Sequence, residues 1–297
     1  MRVGIVYPTP YEGPGRQSFN ATWARALKQA TQADVLRVNL DPRSLMNDEI
    51  VESTRDAGFE LLPIFDLDYD AQDPVAYASW AVAMQRRHRF RWIEPGNEPW
   101  TMHKTPARRY MEAVIQGIEA LDNEADGPGL TVAWPCDAVR PRGQRDRRWE
   151  EWWRGVMRLM PTLRYAKHAV AIHPYRGELP PESSRSHWPA WAHKMPSLGL
   201  RLFGQSGRRE GEHQLWMDLA GQMPLLVTEV GWRRQDVDDE TNARYLRAEL
   251  TFYQALGVEL VCVYAYGGDE WGVMNADLSP RPQADAIRMF VEAQRGS

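Results

Sequence analysis

Eight short apolar runs punctuate the chain, with longer stretches of helical period between them. The runs are Val3 to Tyr7, Asp34 to Leu40, Phe59 to Phe65, Phe90 to Gly96, Leu130 to Trp134, Ala169 to His173, Pro224 to Thr228 and Glu259 to Tyr266. Each is hydrophobic at nearly every position instead of at alternate ones. That pattern belongs to strands covered on both faces, as in a parallel sheet flanked by helices. In the intervening segments Phe19, Trp23 and Leu27 recur at four-residue spacing. Leu246, Leu250 and Tyr253 share one helical face, and Gly257 follows as a stop signal. Asp73-Pro74 and Thr105-Pro106 each read as an N-cap followed by proline at the first helical position. Eight strands, each followed by a helix, predict an α/β fold: a (β/α)8 TIM barrel, single domain, spanning 1–297.

One connection stands apart. From about 176 to 212, after the sixth run, the chain is loop-like and carries Pro180-Pro181, Trp188, Trp191 and several glycines. A loop of that length after a barrel strand is expected to overhang the C-terminal face, as a cleft wall or lid.

Composition narrows the class without naming a chemistry. Hydrophobic residues make up 43% and charged residues 26%, as in a globular protein with a sizeable core. The net charge of -4 argues against a nucleic-acid partner, and the basic stretch Arg140 to Arg148 reads as a solvated loop. No apolar run reaches membrane length, and the sequence shows no signal segment at its start. This reads as cytoplasmic, or as secreted if a signal was removed. Cys136 and Cys262 fall inside apolar runs and are expected as free thiols. The oligomeric state has no signature in the sequence.

The chemistry is expected at the mouths of the strands. The fourth run ends in Gly96-Asn97-Glu98-Pro99, and the seventh in Thr228-Glu229-Val230-Gly231-Trp232. A glutamate at each of two strand mouths sets two carboxyl groups across one cleft, which is what cleavage of a glycosidic bond requires. One must be protonated to release the leaving alcohol, and the other ionised to attack the anomeric carbon. Trp134, Trp232 and Trp271 lie near strand mouths, where an indole face can stack on a sugar or pack into the core.

Asn97-Glu98-Pro99 after the fourth strand, with Glu229 ending the seventh, resembles glycoside hydrolase clan A, which includes cellulase-like, β-mannanase-like and β-xylosidase-like enzymes. The resemblance spans the barrel. Arg37 on the second strand, His173-Pro174-Tyr175 at the sixth, and the stretch from Trp271 to Pro282 after the eighth are similar to further clan motifs. The resemblance implies Glu98 as acid/base and Glu229 as nucleophile. It further implies Asn97 on the sugar 2-hydroxyl, Arg37 and Tyr175 orienting Glu229, and His173 beside them. It implies retention through a covalent glycosyl-enzyme, with the two carboxyl groups about 5–5.5 Å apart. The clan tryptophan at the end of strand eight is absent, and Tyr266 or Trp271 takes its place in this reading.

The substrate class so implied is an oligo- or polysaccharide, with no cofactor and no metal. The seven histidines show no ligand spacing, and Asp66, Asp68 and Asp70 lack the glycine and the glutamate of a calcium loop. The loop after strand one, with Tyr7, Tyr11 and Glu12, and the long loop after strand six are the expected determinants of specificity. Two rival readings are a carbohydrate-binding barrel without turnover and a metal-dependent barrel hydrolase.

Overall fold

The computed structural model describes residues 1–7, 20–65, 73–97, 133–136, 169–173, 224–232, 234–264 and 272–296; for 133–136 and 170 it describes the backbone alone. Its centre is an all-parallel sheet of eight strands: β1 Arg2–Tyr7, β2 Val35–Leu40, β3 Glu60–Phe65, β4 Glu94–Pro95, β5 Ala133–Cys136, β6 Ala169–Ile172, β7 Leu225–Val230 and β8 Leu260–Tyr264. The strand order is β4-β3-β2-β1-β8-β7-β6-β5. Neighbours in the sheet are therefore neighbours in sequence, except that the first strand pairs with the last, Gly4 opposite Cys262. That pairing curls the sheet round. At the remaining junction β4 and β5 approach within 8 Å between Cα atoms, without a ladder among the described residues. This is the (β/α)8 barrel arrangement expected from the sequence.

Side chains alternate across this sheet. Leu36, Val38 and Leu40 of β2, Val227 of β7 and Val261 of β8 join helix residues such as Leu27, Leu246 and Ile287 in the outer core. Val35, Leu62, Trp92, Ala171, Leu226, Leu260 and Cys262 form a second cluster, which fills the barrel interior. Removing each large aliphatic side chain from water contributes about 1.5–3 kcal/mol, so both layers favour the same strand register. The interior is tight around β1. A Cβ on Gly4 would stand 2.6 Å from Cys262 Sγ and 3.2 Å from Val35 Cβ, so only glycine lets these three strands approach as they do. Cys262 is a buried free thiol, as expected.

Five helices are described: α1 Ala21–Thr31, α2 Asn47–Asp56, α3 Pro74–His88, α4 Asp239–Ala255 and α5 Pro282–Arg295. The Asp73 carboxylate accepts from Val75 N at 2.8 Å, with Pro74 at the first helical position, as the sequence predicts. Asn20 caps α1 through Trp23 N at 3.1 Å. Leu246, Leu250 and Tyr253 of α4 are buried together, and Gly257 (φ 75°) adopts the left-handed conformation just past its end. Thr105-Pro106, Phe19 and the long connection at 176–212 lie outside the described residues.

Two strands differ from expectation in a way that bears on the site. The fourth is short, Glu94–Pro95 instead of the whole run from Phe90. Pro95 has no N–H to give a ladder, and Gly96 turns the chain with φ 81°. The seventh runs on to Val230 and carries an irregularity: Val227 is opposite Val261, yet Val230 is opposite Val263. Three steps on β7 thus match two on β8, so β7 holds one extra residue, a β-bulge.

Candidate active site

The bulge decides where Glu229 points. Leu225 and Val227 pack outward against the helices, while Leu226 faces the interior. Strict alternation would send position 229 outward with 225 and 227. The extra residue breaks the alternation, so Thr228 and Glu229 both face inward and Val230 returns to the outer core. Bulges recur at barrel rims for this purpose, the re-aiming of one side chain.

The partner that Glu229 meets is Arg37. It shares the inward parity of Val35 on β2 and is fully buried, at 0% exposure. Three N–H groups of its guanidinium reach three acceptors on other elements. Nε donates to Glu94 Oε2 at 2.6 Å, Nη1 to Glu229 Oε1 at 2.7 Å, and Nη2 to Asn97 Oδ1 at 2.9 Å. A planar, permanently charged fork is the side chain that can do this; a lysine ammonium cannot span acceptors so arranged. Burial opposes the charge on Arg37, but the attraction of Glu94 and Glu229 and the hydrogen bond to Glu94 outweigh it. The guanidinium is consequently held above its ordinary range.

The two carboxylates on this cation are not equivalent. Glu94 is at 0% exposure, sealed below, whereas Glu229 retains 7% and Asn97 is exposed. Glu229 is therefore the carboxylate presented at the mouth. With Nη2 donating to its Oδ1, the Asn97 amide is oriented so that its NH2 group turns away from Arg37. On the other side, His173 follows β6, with Nε2 hydrogen-bonded to Thr228 Oγ1 at 3.0 Å. Its Nδ1 lies 3.7 Å from Glu229 Oε2, a charge-range approach beyond hydrogen-bond length. Both residues admitted by the bulge are thus engaged, Thr228 by His173 and Glu229 by Arg37.

Of the residues singled out in the sequence, the structure brings Arg37, Asn97, His173 and Glu229 together. Glu98, Tyr175, Tyr266 and Trp271 lie outside the described residues, as do Tyr11, Glu12 and the three aspartates from Asp66 to Asp70. Trp134 falls on β5 opposite Val170, with its side chain outside the description. Trp232 needs a correction. Its indole is 1% exposed, packs against Tyr245 with ring centroids 5.5 Å apart, and belongs to the outer core. Beyond the bulge the chain has turned outward, so this tryptophan takes the packing role and not sugar stacking. Tyr7 likewise serves packing: it meets Trp23 edge-on at 4.9 Å, and its hydroxyl accepts from Asn20 N at 3.2 Å.

Glu94 is the site residue that sequence reasoning missed. A charged residue within an otherwise apolar buried run demands a partner of opposite charge. Arg37 sits in the same situation on β2, so the two could have been matched on that ground.

No protein-family profile matches the chain, and no curated protein matches it. Solved structures do. A family 39 glycoside hydrolase from the gut symbiont Bacteroides cellulosilyticus WH2 superposes with a TM-score of 0.62 at 14% identity, over 97% of this chain and 63% of that one. This chain thus spans less than two thirds of that protein. Thermotoga maritima Cel5A, solved in complex with a mannotriose substrate, gives 0.57 at 12% identity, over 96% and 97% of the two chains. A hyperthermophilic endocellulase from the archaeon Pyrococcus horikoshii gives 0.59 at 11% identity, over 97% and 91%. At such identities the likeness shows the fold. That fold is the α/β barrel of glycoside hydrolases in families 39 and 5, which belong to the clan that the sequence motifs resemble.

Proposed function

We propose that this chain is a retaining glycoside hydrolase, one catalytic barrel over 1–297, acting on β-linked glycosides or polysaccharides. The observation that carries the reading is the bulge that turns Glu229 into the barrel mouth, onto a sealed arginine. A carboxylate paired with a permanent cation is kept ionised, the state a nucleophile needs. In this reading Glu98, the next residue after Asn97, supplies the acid. Its carboxyl proton goes to the glycosidic oxygen as Glu229 attacks the anomeric carbon, the bond to the leaving alcohol breaks, and a glycosyl ester forms on Glu229. Glu98, now a carboxylate, then takes a proton from water, whose oxygen displaces Glu229 and restores the original configuration. Asn97, with its amide oriented by Arg37, is the donor to the sugar 2-hydroxyl. Tyr175, Tyr266 and Trp271 are proposed around the attacked sugar, with Trp134 at the neighbouring mouth. The mannotriose bound by the Thermotoga enzyme supports a carbohydrate as the ligand class.

The test is a panel of aryl β-glycosides and β-linked polysaccharides, run with Glu98→Ala and Glu229→Ala beside the wild type. Loss of turnover in both variants is expected. Azide should yield a glycosyl azide of opposite configuration with Glu229→Ala and of retained configuration with Glu98→Ala. Sugar binding without turnover in the wild type would replace this reading with that of a carbohydrate-binding barrel.

A further inference from the structure

The second carboxylate on Arg37 has no place in the two-glutamate scheme. Glu94 lies on β4 in register with Ile64 of β3, facing the interior. It is fully buried and uses one oxygen, Oε2, to accept from Arg37 Nε. Its other oxygen, Oε1, is buried without a hydrogen-bond partner among the described residues. An ion pair this deep is costly to desolvate, and a well-packed apolar pair in its place would serve stability as well or better. Stability alone therefore gives little reason for a glutamate here.

The geometry points to Glu94 as a positioning residue for Glu229, acting through Arg37. By holding Nε it fixes the plane of the guanidinium, so that Nη1 is delivered to Glu229 and Nη2 to Asn97. By sharing the one positive charge, it also limits how firmly Glu229 is held ionised. The inference rests on the glycosidase reading for its kinetic consequences, though not for the electrostatic ones.

Among the described residues, four groups face Glu229 from the packed elements. Arg37 comes from β2, Glu94 from β4, His173 from the end of β6, and Cys262 from β8. Burial pushes the Cys262 thiol far up, so it stays neutral and adds no charge. Glu98 and Tyr175 lie outside the described residues. Within this set, Glu94 carries a negative charge one guanidinium away from Glu229. A like charge disfavours ionisation, so removing it should let Glu229 ionise at lower pH.

Glu94→Gln separates the two roles, because the amide oxygen still accepts from Nε while the charge is gone. In this variant the acidic limb of kcat/KM should move down by roughly one pH unit. Carbon-13 titration of the Glu229 carboxyl should show the same shift, and this measurement needs no turnover. An unmoved Glu229 titration in folded Glu94→Gln would overturn the charge-sharing role. Glu94→Asp, tested in parallel, keeps the charge but draws the acceptor back by one methylene, so kcat should fall about tenfold or more. A folded Glu94→Asp with wild-type kcat would overturn the positioning role, even if Glu94→Gln did not fold. Wild-type protein inert towards every glycoside would instead count against the proposed function, while the carboxyl titration would still decide the coupling.

Discussion

Glu229 and Arg37 are 192 positions apart in the chain and 2.7 Å apart in the barrel. Their meeting needs two things: an arginine on the interior parity of β2, and a strand that abandons its own parity at β7. The pair is joined to Glu94 through the same guanidinium, so one buried cation balances two carboxylates. Arg37→Ala should therefore destabilise the fold by about 3–5 kcal/mol, because it leaves both acids without their cation. Arg37→Lys should retain more stability yet lose most turnover, since an ammonium cannot hold all three acceptors. Urea unfolding beside kinetics checks both, and an Arg37→Ala as stable as wild type would refute the argument.

Thr228 is the other residue that the bulge admits, and its hydroxyl is the described partner of His173 Nε2. Thr228→Val keeps the shape and removes the partner. The expected cost is about 1–3 kcal/mol for a buried ring nitrogen left without it. Denaturant titration measures this, and histidine ring NMR should report a changed Nε2 environment.

Trp232 separates packing from sugar contact. Its indole lies in the outer core against Tyr245. Trp232→Ala should cost about 3–5 kcal/mol of stability through the cavity it opens. A raised KM in a variant of unchanged stability would return the residue to the cleft.

Gly4 tests how tightly the barrel interior closes. Gly4→Ala places a methyl 2.6 Å from Cys262 Sγ and should destabilise by about 1–3 kcal/mol. Adding Cys262→Ala removes the closest atom and should recover part of that loss. Val35, 3.2 Å from the new methyl, keeps the recovery incomplete. A double-mutant cycle in urea gives the coupling, and strictly additive losses would contradict the contact.

These elements also show what a sequence reveals at a barrel site. Strands such as β2, β3 and β8 are legible because nearly every position is apolar, the mark of two covered faces. β4 was harder: its interior residue is a glutamate, and Pro95 and Gly96 cut the ladder short. Arg37, Asn97, His173 and Glu229 were legible through a family resemblance in their motifs. Glu94 was not part of that resemblance; the only mark it carries is a charge inside an apolar run, and its partner comes from a strand 57 positions away. The bulge was illegible for another reason: an apolar run with one extra residue looks the same as one without. Trp232 could be read either as a sugar-stacking residue or as a packing one, because the parity change at Glu229, three positions earlier, left no trace in the sequence.

The Arg37 fork has a consequence for how such a protein can change over time. A single guanidinium carbon ties β2, the end of β4 and β7 together from inside. The spacing of Glu229 and Asn97 is thus set by strands, below the level at which the connecting loops begin. Insertions and substitutions in those loops can reshape what fits above the site without disturbing that spacing. In the glycoside hydrolase proposed above, selection for a new sugar would act on the rim while the chemistry stays in register, so substrate preference and mechanism would be free to evolve at different rates.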